Sequence, residues 1–210
     1  MLKKVSLFVL IAVLTASSVM AQYTVDIGVQ AGLNFANFWG SDAGVNQTKP
    51  GIILGAVIDN TKLAKRNGSN FSLQLGLLFV QQGAKEESES IEVNLNYLRM
   101  PYNVRYNFDL GSNMGLYLQA GIYGGLALWG TEKARVDGKW ESDKIYFGDN
   151  DMNRWDWGIG VGAGVRIMDN FQIGVSKNWG RNSLIKYEGV KQYFYNTNLA
   201  LTATYLLPDR

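Results

Sequence analysis

Thirteen residues, Trp155–Ile167, alternate without a break between two kinds of side chain. Trp155, Trp157, Ile159, Val161, Ala163, Val165 and Ile167 take one set of positions, and Asp156, Gly158, Gly160, Gly162, Gly164 and Arg166 take the other. Successive side chains of a strand point to opposite faces. One face is therefore continuously apolar, and the other is nearly bare with a charge near each end. A strand of a soluble sandwich turns polar residues to water, whereas a face made of glycine suits a crowded interior where another group comes close. A tilted strand crosses a bilayer in about 9–11 residues. The pattern predicts one lipid-facing strand of an outer-membrane β-barrel.

Similar stretches recur at residues 23–35, 51–59, 71–81, 93–108, 115–129, 171–179 and 193–207, which with 155–167 make eight strands. The expected fold is all-β: an eight-stranded antiparallel up-and-down transmembrane barrel. Closure removes the open edges that lipid would not tolerate, and side chains fill an interior of this size, so no wide pore is expected. Residues 115–129 read as apolar outward at Leu116, Leu118, Ala120, Ile122, Gly124, Leu126 and Leu128. Pro101 lacks the N–H that a ladder position requires and should mark a bulge or bend.

Short turns at 109–113 and 168–170 mark the expected periplasmic end, and longer connections at 38–49, 83–92, 130–154 and 180–192 the outer end. Residues 60–70 depart from this rule. Trp39, Trp129, Trp155, Trp157 and Trp179 fall at strand ends beside the outer connections, with only Trp140 inside one. Tyr23, Phe71, Tyr106, Phe108, Phe171 and Tyr205 fall at the opposite ends. Together they read as the two membrane-interface girdles of such a barrel.

Lys3 and Lys4, the largely apolar run 5–14 and the small residues Val19 and Ala21 compose a secretory signal peptide. The expected domains are thus a cleaved 1–21 and a barrel domain 22–210, exported to the outer membrane. Without Lys3 and Lys4 the formal charge falls from +2 to 0, so nothing points to nucleic acid. The chain has 24 Gly, 11 Tyr, 9 Phe and 6 Trp but no Cys and no His. That removes disulfides, the usual zinc ligands, Ser-His-Asp and Cys-His pairs, and any histidine base. Asp143, Asp149, Asn150 and Asp151 lack the spacing of a calcium loop. No catalytic residue, cofactor or metal is expected.

Six charges fall on inward positions: Asp26, Asp59, Arg99, Arg105, Asp156 and Arg166. Asp26, Asp59, Arg105 and Arg166 should lie near the periplasmic mouth, Arg99 in mid-barrel and Asp156 near the outer mouth. Buried charges are normally paired, so a lumen-filling ion-pair network is expected. The alternative is a binding or conduction path.

Three stretches carry a family resemblance: Leu75-Gly76-Leu77-Leu78-Phe79-Val80-Gln81-Gln82-Gly83; Asn96-Tyr97-Leu98-Arg99-Met100-Pro101 with Arg105-Tyr106-Asn107-Phe108; and Trp155-Asp156-Trp157-Gly158 with Gly162-Ala163-Gly164-Val165. They resemble the small outer-membrane β-barrels of Bacteroidota often called PorT-like. The resemblance implies an integral outer-membrane protein, some of whose relatives serve a secretion and gliding apparatus. The expected role is structural or interactive, with outer-membrane lipid around the barrel and a protein partner met through the outer loops, first that from Gly130 to Arg154. A narrow channel or transporter for small solutes is the second reading. A soluble lipocalin-type ligand-binding barrel is the third, and would need large apolar residues inward.

Overall fold

The computed structural model describes residues 25–40, 46–86, 91–111, 113–136, 138–148, 152–168, 170–185 and 193–207. The expected signal peptide 1–21, Tyr23 and the loop positions Asp149, Asn150 and Asp151 lie outside them.

Among the described residues ten strands and one short helix follow in order: β1 (Asp26–Trp39), β2 (Asn46–Gln47), β3 (Lys49–Asp59), α1 (Thr61–Arg66), β4 (Phe71–Glu86), β5 (Ile91–Asp109), β6 (Met114–Val136), β7 (Lys139–Ile145), β8 (Trp155–Ile167), β9 (Phe171–Gly180) and β10 (Tyr195–Leu206). Eight of them close a ring in the order β1, β3, β4, β5, β6, β8, β9, β10, every neighbour antiparallel. The seam is β1 against β10, from Gly28↔Leu206 to Trp39↔Tyr195. The all-β, eight-stranded antiparallel barrel expected from the alternation is what the chain forms. Burial alternates along β1 and β10, with apolar side chains outward and, apart from Leu206, small or polar ones inward.

The two ends differ. At the turn end, Leu110 N–H bonds Met114 O at 3.0 Å and Met168 N–H bonds Asn113 O at 2.8 Å, which ties the two tight turns together. The exceptional connection 60–70 is also compact. Asp59 Oδ1 accepts from Thr61 N–H at 2.8 Å as α1 begins, and Gly68, with φ 70°, allows the chain to turn out of it.

The loop end corrects several expectations. The connection from Gly130 to Arg154 is largely strand: β6 continues to Val136, turns near Gly138 (φ 77°), and pairs with β7 from Gly130↔Ile145 to Val136↔Lys139. Likewise β1 runs through Trp39, β4 reaches Glu86 and β5 starts at Ile91. Beyond an apolar band a strand needs no apolar face, so its alternation disappears while its ladder persists. Nearly every residue of β7 is exposed.

Two irregularities re-aim side chains. The β5–β6 register shifts between Asn96 and Tyr97, which pair with Trp129 and Ala127 and leave Leu128 as the extra residue. By strict alternation Trp129 would face inward with Tyr117 and Tyr123; the bulge puts Leu128 and Trp129 both on the exposed side. Leu126, expected outward, is instead 3% exposed. It pairs with Trp155 where the chain enters β8, and Ala127 N–H bonds Arg154 O beside it. Near Pro101, the β4–β5 pairing lapses between Leu75↔Tyr102 and Leu78↔Arg99, as a residue without an N–H requires.

Candidate functional site

The lumen is organised around the glycine face of β8. Glycines there and on β9 leave room for two tyrosines of the neighbouring strand β6. A Cβ on Gly158 would stand 2.7 Å from the Tyr123 ring, and one on Gly164 or Gly174 would collide with Tyr117. Each tyrosine in turn supports an arginine. The Arg99 guanidinium carbon lies 4.0 Å from the Tyr123 ring centre, and that of Arg105 lies 4.4 Å from the centre of Tyr117. Stacking a cation on an aromatic face is favourable, more so away from water.

The layer nearer the turn end is fully engaged. Arg105 Nη1 donates to Asp59 Oδ2 at 2.7 Å and to Gln172 Oε1 at 2.9 Å. Its Nη2 donates to Gln74 Oε1 at 2.5 Å and its Nε to Gln119 Oε1 at 3.1 Å. Gln74 and Gln172 each return an amide N–H to Asp59 Oδ2 at 3.3 Å. Every nitrogen of the guanidinium and both carboxylate oxygens thus have partners.

Asp26 and Arg166 do not join this layer. Each pairs with a group at the rim: Lys62 of α1 meets Asp26 at 3.0 Å, and Arg166 donates to Asp109 at the end of β5 at 2.5 Å. Lys65 also reaches Asp109, at 3.2 Å. The six inward charges are therefore split among separate groups.

The layer nearer the loop end uses Arg99 and Asp156. Both belong to one register row, Arg99↔Gly125↔Asp156. The missing side chain of Gly125 lets them meet across β6, and Arg99 Nη2 stands 3.6 Å from Asp156 Oδ2. Arg99 Nη1 donates to Asn198 Oδ1 at 3.1 Å. Gln82, with its amide oxygen turned toward the guanidinium, accepts from Nη1 at 3.3 Å and from Nη2. Asp156 Oδ2 accepts from Asn196 at 3.0 Å and from the Tyr123 hydroxyl at 3.3 Å. In this layer three buried atoms have no partner among the described residues: Arg99 Nε, Asp156 Oδ1 and Asn196 Oδ1.

The amides were not singled out from sequence, although inward parity on their strands points to Gln74, Gln172, Asn196 and Asn198. A neutral amide carries no charge to demand a partner, which is why parity alone did not separate these residues from polar filler.

The family model of the outer membrane protein beta-barrel domain matches residues 20–186. The chain belongs to this family. Among solved structures it is similar to Ail, the attachment invasion locus protein of Yersinia pestis, at 15% identity and TM-score 0.45, covering 88% of this chain and all (100%) of that one. Neisserial surface protein A is similar at 11% identity and TM-score 0.47, with 88% and 100% covered. OprG from Pseudomonas aeruginosa is similar at 10% identity and TM-score 0.42, with 88% and 96% covered. No curated protein matches.

In this outer-membrane barrel the loop end of the lumen also carries an apolar cluster. Leu95, Tyr97, Ala127, Phe147 and Leu184 form its centre, and Phe38, Val93, Ile145, Met152 and Phe194 pack against it. Tyr97 links the cluster to the layer below, where its hydroxyl accepts from Asn196 at 3.3 Å. A chamber of about 60 Å³, lined by Gln30, Asn103, Gln119, Tyr123 and Ser176 among others, includes Arg99 in its wall. It has room for about four waters. The largest fully buried side chains divide evenly between Tyr97, Leu95, Leu184, Leu206, Val57 and Val80 on one side and Gln82, Gln172, Asn34, Asn196, Asn198 and Asp59 on the other. A second apolar cluster joins Ile53, Val57, Leu78, Val80, Ala200 and Leu206, so the interior is mixed rather than apolar throughout as in a lipocalin-type barrel. Among the described residues no group of three or more acidic, histidine or cysteine side chains could hold a metal ion.

On the outside, Trp39, Trp129, Trp155 and Trp157 are exposed at the loop end and Trp179 is half-buried. Phe71, Tyr106 and Phe108 form a run of edge-to-face contacts at the turn end, with centroids 5.0 and 4.8 Å apart. Phe171 and Tyr205 are exposed at the same end.

Proposed function

We propose that this family member is an integral outer-membrane protein whose barrel is a closed anchor and whose loop-end sheet contacts a protein partner. In this reading residues 1–21 are removed on export, the turn end faces the periplasm, and the two aromatic groups lie at the membrane interfaces. The observation that carries it is the contrast between a lumen occupied at successive levels and a loop-end sheet that presents exposed aromatic side chains. Solutes meet Arg105–Asp59, Arg99–Asp156 and the apolar cluster in turn, whereas Trp140 of β7 and the adjacent Tyr146 are exposed. The resemblance to PorT-like barrels supports membership of a membrane-associated assembly such as a secretion apparatus.

Photo-cross-linking from positions 140 and 146 in the native outer membrane tests this. One stoichiometric adduct is expected, and a mature chain beginning at Gln22. The second reading, a narrow channel for small solutes, draws on the chamber and on Arg99 in its wall. Planar-bilayer recording separates the two: steady single-channel currents together with no adduct would replace the anchor reading by the channel.

A further inference from the structure

The outward face of β9 reads Phe171, Ile173, Val175, then Lys177 and Trp179. Lys177 interrupts an apolar surface. Its register neighbours on the two flanking strands are Val161 and Leu199, both exposed and apolar. A lysine on the lipid-facing side of a barrel is unfavourable unless it lies near an interface or finds an anion. Lys177 stands two residues, about 7 Å along the strand, to the mid-barrel side of Trp179.

A groove of about 450 Å³ opens on this face, lined by Trp39, Ile159, Lys177, Trp179, Arg181 and Thr197. Two indoles, two cations and no carboxylate line it. Neither Lys177 nor Arg181 forms an ion pair among the described residues. The other polar groups nearby are already used: the Thr197 hydroxyl donates to Asn178 O at 3.0 Å, and Arg181 N–H bonds Trp157 O at 2.7 Å. What remains on offer is positive charge held between tryptophans, and the apolar strip of Val161, Val175 and Leu199 continues toward mid-barrel.

We infer that this groove binds the phosphate group of a membrane lipid. The phosphate meets Lys177 and Arg181 between Trp39 and Trp179, and the acyl chains run down the strip below. Charge complementarity selects an anion, and the continuous apolar strip selects one that carries hydrocarbon over free phosphate. Lysine satisfies this geometry because its stem can lie along apolar surface while the ammonium reaches the headgroup level. The inference rests on the membrane reading above.

The test places the full chain in phosphatidylcholine nanodiscs doped with phosphorylated lipid A, or with the same lipid after its phosphates are removed. Lipid retained by the released protein is counted by native mass spectrometry. Wild type should retain the phosphorylated form about tenfold more than the dephosphorylated one, as a charge-assisted contact predicts. The double variant Lys177→Gln, Arg181→Gln should lose that preference, and Lys177→Arg should keep it. Both variants alter only outward side chains, and heat-modifiable migration on a gel checks that each barrel has closed. Equal retention of the two lipids by wild type, or an unchanged preference in the double variant, overturns the inference alone. A closed barrel that stays outside the discs overturns the membrane reading instead.

Discussion

The two arginine layers of the lumen are built alike and finished differently. In each, an arginine lies over a β6 tyrosine that fills space left by glycine, and an aspartate faces the guanidinium. At Arg105 the ion pair closes to 2.7 Å and three glutamines occupy the remaining directions. At Arg99 the pair is 3.6 Å apart and three buried polar atoms of the layer have no partner among the described residues. Desolvating a pair of charges costs several kcal/mol per ion and is offset only by good geometry and further hydrogen bonds. The turn-end layer meets that condition. The loop-end layer meets it in part; of its members Arg99, Tyr123 and Asn198 line the chamber. Hydrogen bonding is therefore more complete in the layer near the turns than in the one near the loops.

The largest expected effect breaks the better layer. Arg105→Ala leaves Asp59, fully buried at 0% exposure, without its cation and should cost about 3–5 kcal/mol. Urea unfolding in lipid vesicles, followed by tryptophan fluorescence, would measure it. Arg99→Ala should cost less, about 1–3 kcal/mol, in the same assay; equal losses would erase the distinction between the layers. Paired apolar replacement sharpens it further. Both double replacements, Arg99→Met with Asp156→Leu and Arg105→Met with Asp59→Leu, strand buried amides, but the second removes the closer ion pair and more hydrogen bonds and should destabilise more than the first. Gly164→Ala acts on the shared device, driving a methyl against Tyr117, and should cost about 1–3 kcal/mol. The smallest effect belongs to the rim. Lys65→Ala removes a half-exposed contact with Asp109 and should shift the midpoint by less than about 1 kcal/mol.

Much of this architecture was legible as period-two patterning. Trp155–Ile167 has the same ends in the sequence reading and in the fold, because each side chain there meets either the apolar outside or a crowded inside. Patterning failed where those constraints stop. β7 and the end of β6 lie beyond the apolar band, so Lys139–Ile145 carries no alternation and reads as a loop although it is hydrogen-bonded along its length. The bulge at Leu128 inserts one residue without changing composition, so the inward parity of Trp129 misleads while its place at a strand end does not. In the lumen, charge made Arg99, Arg105, Asp59 and Asp156 visible. Their grouping depends on register: only the alignment of Arg99, Gly125 and Asp156 in one row reveals that a glycine separates the partners. Lys62, which holds Asp26, sits in the α1 connection, and Asp109, which holds Arg166, is the last residue of β5 and reads from sequence as part of the turn 109–113.

The seam between β1 and β10 has a consequence for assembly. Gly28 bonds in register with Leu206, so the first strand waits for the last before the ring can shut. A nascent chain halted before Tyr195 would present β1 and β9 as two open edges, ready to pair with other strands and unable to rest in hydrocarbon. Such a contact between distant residues forms late and slowly. Completion of the cylinder therefore proofreads the length of the polypeptide, and a fragment announces itself by the edges it cannot hide.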